Sequence, residues 1–516
     1  MSVFPPVTAM THVTEEEGSH GRHMGVVDVV MMIVQRIIGS GIFAVSSMIY
    51  RDVGGSPFLF FLVWAISGYS SYAGLMCFSE LGSVIPRSGG LKVFLQVIYN
   101  KPYMMMNVVF GIFIVIFGSI IANVMIFGEY LLYALGYPDG EFMDAWYKPV
   151  GFAFLTIVCL MLIVSTKFVV KLQTITGILK VILLAAVSLM GLSVLILPSS
   201  VTKIPNNLHP DDFFKIKTQI TLASFTSAIL KGIFSLNGWH TIHNVLGEIK
   251  DPVKTMKIAA PLAILLINLC YFLINLTYLI VIPSDELLEI DEMVGLVLFE
   301  KFFGDSFGKI VLSSLIAFSV GGNIVTVLYH ISRMNQEIFR EGFLPFSKTF
   351  ASNWPFGSPS FALLVPFFIT SIFLVIPTDS NVFNYTINLE SYPTQIFFGM
   401  ACFGILLLRK RSPHIIPGIR ASYMDIGFMV LFSIFMFTGP LFKTDNKEFN
   451  GLPNYAYTSI FILLLCILYW SLMFKILPHL FKYKLVKETH TLTDGLTISK
   501  WRHVSDSDIG GSYDEI

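Results

Sequence analysis

Charge is what this sequence has least of. Only 13% of its 516 residues are Asp, Glu, Lys or Arg, about half the roughly 25% usual in a soluble domain. A soluble enzyme is excluded on that ground. No sign of charge is in excess either, since 34 Lys and Arg offset 34 Asp and Glu. A nucleic-acid partner, which draws on a basic excess to displace counterions from phosphates, is not expected. Cysteine is scarce as well. Cys77, Cys159, Cys270, Cys402 and Cys466 each fall inside an apolar run, so neither a disulfide framework nor a zinc site is expected. Glu15, Glu16 and Glu17 stand before the first apolar stretch, where a cleaved signal would carry basic residues. The first hydrophobic segment is therefore expected to stay in the mature protein.

What abounds is apolar surface, at 54% of residues. At about 20 residues per crossing, that leaves room for roughly a dozen membrane helices and no large extramembrane domain. Apolar runs place spans at 26–49, 58–83, 104–135, 149–166, 172–197, 220–247, 257–282, 308–331, 360–377, 387–408, 424–442 and 457–477, twelve in all. Each run is continuous and lacks period-two alternation, so the spans read as helices, which satisfy their own backbone in lipid, rather than barrel strands. The third, sixth and eighth exceed what a bilayer requires, and tilting or projection is expected of them.

Loop charges orient the bundle. With a cytoplasmic N-terminus, the inner loops hold Arg87, Lys92 and Lys101, Lys167 and Lys171, Lys250, Lys254 and Lys257, Arg333, Arg340 and Lys348, and Arg409, Lys410, Arg411 and Arg420. The outer loops are acidic, with Asp139, Glu141 and Asp144 in one and Asp285, Glu286, Glu289, Asp291 and Glu292 in another. By the positive-inside rule both termini face the cytoplasm.

Two interruptions stand out. Span 1 carries Gly39-Ser40-Gly41 near its middle, and span 6 carries Ser235-Leu236-Asn237-Gly238 at the corresponding place. Paired breaks at matching positions of two halves point to a transporter site, with spans 1 and 6 each opening a five-helix repeat. A break bares N–H groups on one half-helix and carbonyls on the other, which together suit a zwitterion such as an amino acid. The alternative is that the glycines only permit close helix packing.

The stretch from Gly74 through Ser79-Glu80-Leu81-Gly82 to Pro86-Arg87-Ser88-Gly89-Gly90 resembles the second-helix motif of amino acid-polyamine-organocation transporters. Asn237-Gly238-Trp239 through Glu248-Ile249-Lys250-Asp251-Pro252 resembles their sixth-helix signature, and Ser332-Arg333-Met334 through Gly342-Phe343-Leu344-Pro345 their eighth-helix end. With Ile38-Gly39-Ser40-Gly41-Ile42-Phe43, four motifs agree in order, and the likeness runs from His20 to Trp501. Within that superfamily the chain is most similar to the fungal methionine permeases of the L-type amino acid transporter family. The stretches that carry this are Gly21-Arg22-His23-Met24-Gly25-Val26, Asn335-Gln336-Glu337-Ile338-Phe339-Arg340 and Asn353-Trp354-Pro355-Phe356.

The resemblance implies an all-α polytopic fold of the LeuT type, an inverted five-plus-five repeat with two extra helices. Its divisions would be an N-terminal tail at 1–23, repeats at 24–200 and 201–410, the two further helices at 411–480 and a C-terminal tail at 481–516. It also implies inward transport of methionine, with a proton, across the plasma membrane. Carried over by residue, the N–H groups of Ser40 and Gly41 would take the substrate carboxylate, and the carbonyls of Ile37, Phe234 and Asn237 the ammonium. Gly238 belongs to the same break, and the Phe234 ring would be the gate over the bound amino acid. The chain departs from many relatives at Leu236, Asn237 and His240. His240 is either a titratable group of the site or a hydrogen-bonded residue of the bundle.

Ionisable and polar residues inside spans are costly and ask for a role. Lys180 lies within span 5, where relatives without sodium coupling carry a lysine beside the broken first helix. It is either a proton carrier or a permanently charged peg. Arg36, with Glu80 or Glu248 as expected partners, is a cytoplasmic gate or a structural ion pair. Ser319 and Asn323 share one helix face and either contact Lys180 or bond across helices as packing groups.

Methionine itself is inherited from the resemblance, because an apolar pocket separates neighbouring side chains by only about 10 to 200-fold. Cysteine and other neutral amino acids are candidate substrates too. No cofactor and no metal is expected. The loop Gly136 to Lys148 contains no Cys, whereas animal L-type light chains use one there, so no disulfide-linked heavy chain is expected. The tail beyond Lys487, ending in Ser505-Asp506-Ser507-Asp508, reads as polar and in part mobile. Two other classes share some of these features: a non-transporting amino acid sensor on the same fold, and a polytopic membrane enzyme. The short tails speak against the first and the lack of a nucleophile-base set against the second. A neutral amino acid exchanger of broader range also remains open.

Overall fold

The computed structural model describes residues 21–118, 120–137, 140–290, 293–375, 380–442, 453–492 and 495–505. Glu15 to Glu17, Asp139, Asp291, Glu292 and the chain end from Asp506 lie outside them. The chain is a multi-pass helical membrane protein. Among the described residues ten helices are long and apolar enough to cross a bilayer, and the expected spans 220–247 and 360–377 are represented by two shorter apolar helices, Leu222–Ser235 and Ser360–Val375.

The elements that build the centre are α1 (Val26–Ile37), α2 (Gly41–Ala44), α3 (Ser46–Asp52), α4 (Pro57–Val84), α5 (Leu91–Ile98), α6 (Met105–Phe117), α7 (Ile121–Ala134), α8 (Glu141–Val164), α9 (Thr166–Ile196) and α10 (Leu222–Ser235). A 3-10 segment, Thr241–Glu248, follows, then α11 (Pro252–Val281), α12 (Ser284–Glu289), α13 (Val294–Phe303) and α14 (Asp305–Arg340). Prolines at the first positions of α4 and α11 start those helices where no donor is required. The Thr221 hydroxyl accepts from the Ser224 N–H to cap α10. α1 packs against α9, α11 and α14, while α10 lies on α3 and α4. The two interrupted helices therefore sit inside the bundle.

Several boundaries differ from expectation. Span 3 divides into α6 and α7 around Gly118 and Ile120. Span 4 begins earlier, at Glu141, with Pro149 inside it; a membrane helix tolerates this because neighbouring groups re-satisfy the freed carbonyl. Span 8 runs on to Arg340, 36 residues in all, because its last turns stay buried against other elements. Arg333, expected in a loop, is 2% exposed. Its Nε donates to Glu248 Oε1 at 2.5 Å while the Tyr329 hydroxyl donates to Glu248 Oε2 at 2.6 Å. Glu80 is held in two-point fashion by Arg409, at 2.8 and 2.6 Å, and accepts the Ala421 N–H. Both acids expected beside Arg36 are thus engaged by other arginines.

The chain is not wholly α-helical. Tyr483–Thr491 (β1) and Thr497–Ser505 (β2) form an antiparallel hairpin where a polar tail was expected. Val486, Thr489, Thr491, Thr497, Ile498 and Val504 are β-branched and suit strands, and the turn passes through Gly495 at φ +81°. The hairpin is tied to the end of α14: the Trp501 indole donates to the Glu341 carbonyl and Arg340 Nε to the Thr497 carbonyl, both at 2.9 Å. Gly342, at φ +75°, is required there, since a Cβ would come within 2.0 Å of the Ser499 carbonyl oxygen.

The Glu248 pair yields a stability prediction. Glu248→Ala strands a buried guanidinium and is expected to cost about 3 kcal/mol or more. Removing the partly exposed Glu286 from its Lys301 pair is expected to cost under about 1 kcal/mol. Thermal unfolding of the purified protein in detergent checks both, and equal losses would contradict the ranking.

Candidate substrate site

An α-helix leaves its last four carbonyls and first four N–H groups without intrahelical partners. Following those groups through the first break locates a site. At the end of α1, the Val34 carbonyl accepts the Ile38 N–H at 2.9 Å. The Asn323 amide donates to the Arg36 carbonyl at 2.7 Å and, more weakly, to that of Gln35 at 3.4 Å. The Ile38 carbonyl takes the Lys180 ammonium at 2.8 Å and the Ser319 hydroxyl at 3.2 Å. The Ile37 carbonyl and the N–H groups of Ser40 and Gly41 are left with no hydrogen-bond partner among the described residues.

The second break is organised the same way. Tyr271 donates to the Ser235 carbonyl at 3.0 Å and Ser71 to that of Leu236 at 2.9 Å. The Phe234 carbonyl already accepts the Asn237 N–H at 3.2 Å. Asn237 turns the chain by accepting the Gly238 N–H on its own side chain at 2.7 Å, which leaves the Asn237 carbonyl without a partner among the described residues. Gly238 sits at φ +116°, a conformation side chains resist. The two breaks face each other. A Cβ on Gly41 would lie 2.8 Å from Ser235 Oγ, and one on Gly238 would lie 2.9 Å from Arg36 Cγ.

Lys180 is 3% exposed and reaches the first break from α9, with its ammonium also 3.1 Å from the Ser319 carbonyl. A lysine has three donors, and these two carbonyls take two of them. Ser319 and Asn323 approach the same stretch from α14, one turn apart, so Lys180, Ser319, Asn323 and the Ile37 to Gly41 backbone form one cluster.

A cavity of about 350 Å³ opens at the breaks, lined by Arg36, Ile37, Ser40, Gly41, Phe234 and Asn237. That falls in the range of small-ligand sites, roughly 300 to 1,000 Å³. It continues along α14 past His330 to Met334, toward the end of the bundle that holds Glu248 and Arg340. At the opposite end Arg51 donates to the carbonyls of Leu288 and Ile290, at 2.9 and 2.6 Å, and Lys231 pairs with Asp52 at 2.6 Å. The lining of the cavity extends toward the Glu248 end and includes none of Arg51, Asp52 and Lys231. Phe234 lines it and is 67% exposed, so it is not folded over the site in this conformation. His240 lines it beneath the second break, its ring 4.6 Å from that of Phe398.

Sequence reasoning did not find Tyr271, Ser71 or His330. Each is a buried polar residue within an apolar run, a signal that identifies a partner requirement but not the partner.

Gly41→Val is expected to abolish amino acid binding, because its side chain must occupy the space of Ser235 and the approach to the Ser40 and Gly41 N–H groups. Binding measured on purified protein checks this, and retained affinity would contradict the carboxylate assignment.

The profile of the amino acid permease family matches residues 24–467. The low-affinity methionine permease of Saccharomyces cerevisiae is 36% identical over 94% of this chain and 88% of its own length. The high-affinity methionine permease of the same yeast is 28% identical over 95% of this chain and 85% of its own. The serine/threonine exchanger SteT of Bacillus subtilis is 25% identical over 77% of this chain and 86% of its own. The chain belongs to the amino acid permease family.

Proposed function

We propose that this permease imports L-methionine across the plasma membrane by alternating access, coupled to a proton. The observation that carries the reading is the pattern of unsatisfied main-chain groups: N–H groups of Ser40 and Gly41 on one side of a cavity, carbonyls of Ile37 and Asn237 on the other. An α-carboxylate and an α-ammonium complete those groups, whereas an apolar solute leaves them unpaired. Two relatives named as methionine permeases support the side-chain assignment. The relative named as an exchanger marks broader neutral amino acid exchange as the competing reading.

Ten long apolar helices and two shorter ones support a twelve-span reading, and the matched breaks in α1–α2 and after α10 support an inverted five-helix repeat. The basic residues Arg87, Lys92, Arg340 and Arg409 gather at one end of the bundle around Glu337, Glu341 and Glu80, which supports a cytoplasmic assignment for that end and for both termini. On this orientation the cavity opens inward. The connection from Gly136 to Lys148 offers no Cys to a heavy chain.

Lys180 is the proposed coupling group. Its ammonium bridges the carbonyls of Ile38 and Ser319, joining the broken helix to α14 in the way a bound cation would. Losing the proton weakens that bridge and frees α1 to move relative to α14. Ser319 and Asn323 supply the rest of the link, and Phe234 and Arg36 flank the path of the substrate on its outer and inner sides.

Uptake of labelled methionine into a permease-deficient host, with imposed proton or sodium gradients and a competing amino acid panel, tests the reading. Accumulation driven by external acid is expected, and driving by sodium would contradict the role given to Lys180. Lys180→Ala removes the ammonium that the Ile38 and Ser319 carbonyls share and is expected to remove concentrative uptake while the protein still reaches the surface. Unchanged dependence on external pH would take Lys180 out of the mechanism.

A further inference from the structure

The cavity does not end at the breaks, and its inner half has a chemistry of its own. From Asn323 to Met334 its wall on α14 runs eleven residues, about 16 Å at 1.5 Å per residue. His330 lies on that wall, 1% exposed. Its Nδ1 is 2.7 Å from the Thr326 carbonyl. A carbonyl oxygen only accepts, so Nδ1 carries the hydrogen, and in the neutral ring Nε2 is a bare lone pair. That Nε2 is buried and has no hydrogen-bond partner among the described residues, a costly condition for a residue with no role there.

The surrounding walls complete a polar set. His240, opposite, is fixed by its ring contacts with Phe398 at 4.6 Å and Trp239 at 5.5 Å, and its Nδ1 also lacks a partner among the described residues. Thr241 and Asn244 line the same space from the 3-10 segment, and Arg36 lines it from α1. One guanidinium, which reaches back to Gly238 at the second break, and a fixed lone pair farther along the wall match the two charges of an amino acid, and the lone pair is no part of the backbone site.

We propose that the cytoplasmic half of the cavity is a second station for the zwitterionic substrate, in which His330 Nε2 accepts from the α-ammonium and Arg36 meets the α-carboxylate. The station rests on the transport reading above and deepens it. It binds substrate only while the cavity is open inward, so it receives the amino acid after release from the breaks and sets the affinity of the inner face. The outer face, which meets substrate through Ser40, Gly41, Ile37 and Asn237, is untouched by it.

Right-side-out and inside-out vesicles carrying the full-length protein separate the two. His330→Leu is expected to raise the half-saturating methionine concentration in inside-out vesicles about tenfold, the worth of one hydrogen bond to a charged group, and to change it less than about twofold in right-side-out vesicles. His330→Gln, whose amide oxygen restores an acceptor, is expected to recover most of the loss. No inside-out shift, or an equal shift in both orientations, would overturn the station while leaving the transport reading intact. Absence of methionine flux in the unsubstituted protein would overturn both.

Discussion

Everything in this molecule depends on a main-chain accounting problem posed in the middle of a membrane. Interrupting a helix in hydrocarbon bares donors and acceptors that no water is present to satisfy, at several kcal/mol each. The fold answers most of that demand with side chains from neighbouring helices: Lys180 and Ser319 on Ile38, Asn323 on Arg36, Tyr271 on Ser235, Ser71 on Leu236. What it leaves unanswered faces one cavity. The vacancy is therefore selective, and its polarity at the two edges is set by the direction of the half-helices rather than by any charged side chain.

The same accounting links the site to its surroundings. The groups that satisfy the first break come from α9 and α14, and those that satisfy the second come from α4 and α11. A change in either set alters the geometry offered to a ligand, so recognition and the relative position of helices share one set of hydrogen bonds. At the inner end, Glu248 joins the 3-10 segment after the second break to α14 through Arg333 and Tyr329, and its own carbonyl receives the N–H groups of His23 and Met24 before α1. One residue thus ties both broken helices to the long helix that forms the cavity wall. The C-terminal hairpin fastens the far end of that helix through Arg340, Glu341 and Trp501.

How much of this could be read beforehand follows the range of each signal. Gly39, Gly41 and Gly238 announced the breaks because glycine inside an apolar run is a local anomaly, visible without knowing what lies opposite. Lys180 was conspicuous for the same reason. Arg333 was misread as a loop residue, since a buried arginine becomes legible only when its acid, Glu248, 85 positions away, is known to be beside it. The bonds of Glu80 to Arg409 and of Glu248 to Arg333 were illegible for the same reason. The hairpin was missed because its strands carry Lys, His and Arg on their outward faces and resemble a polar tail until the end of α14 supplies a surface to pack on. His330 gave only the signal of one polar residue in a membrane span, which asks for a partner without naming it.

A structure determined with methionine bound tests the central claim most directly. The account predicts the α-carboxylate within hydrogen-bonding distance of the Ser40 and Gly41 N–H groups and the α-ammonium on the carbonyls of Ile37 and Asn237, with the thioether in the apolar part of the cavity. Methionine held by side-chain charges alone at that level of the membrane, or an unbroken α1–α2 or α10 segment beside it, would contradict the account.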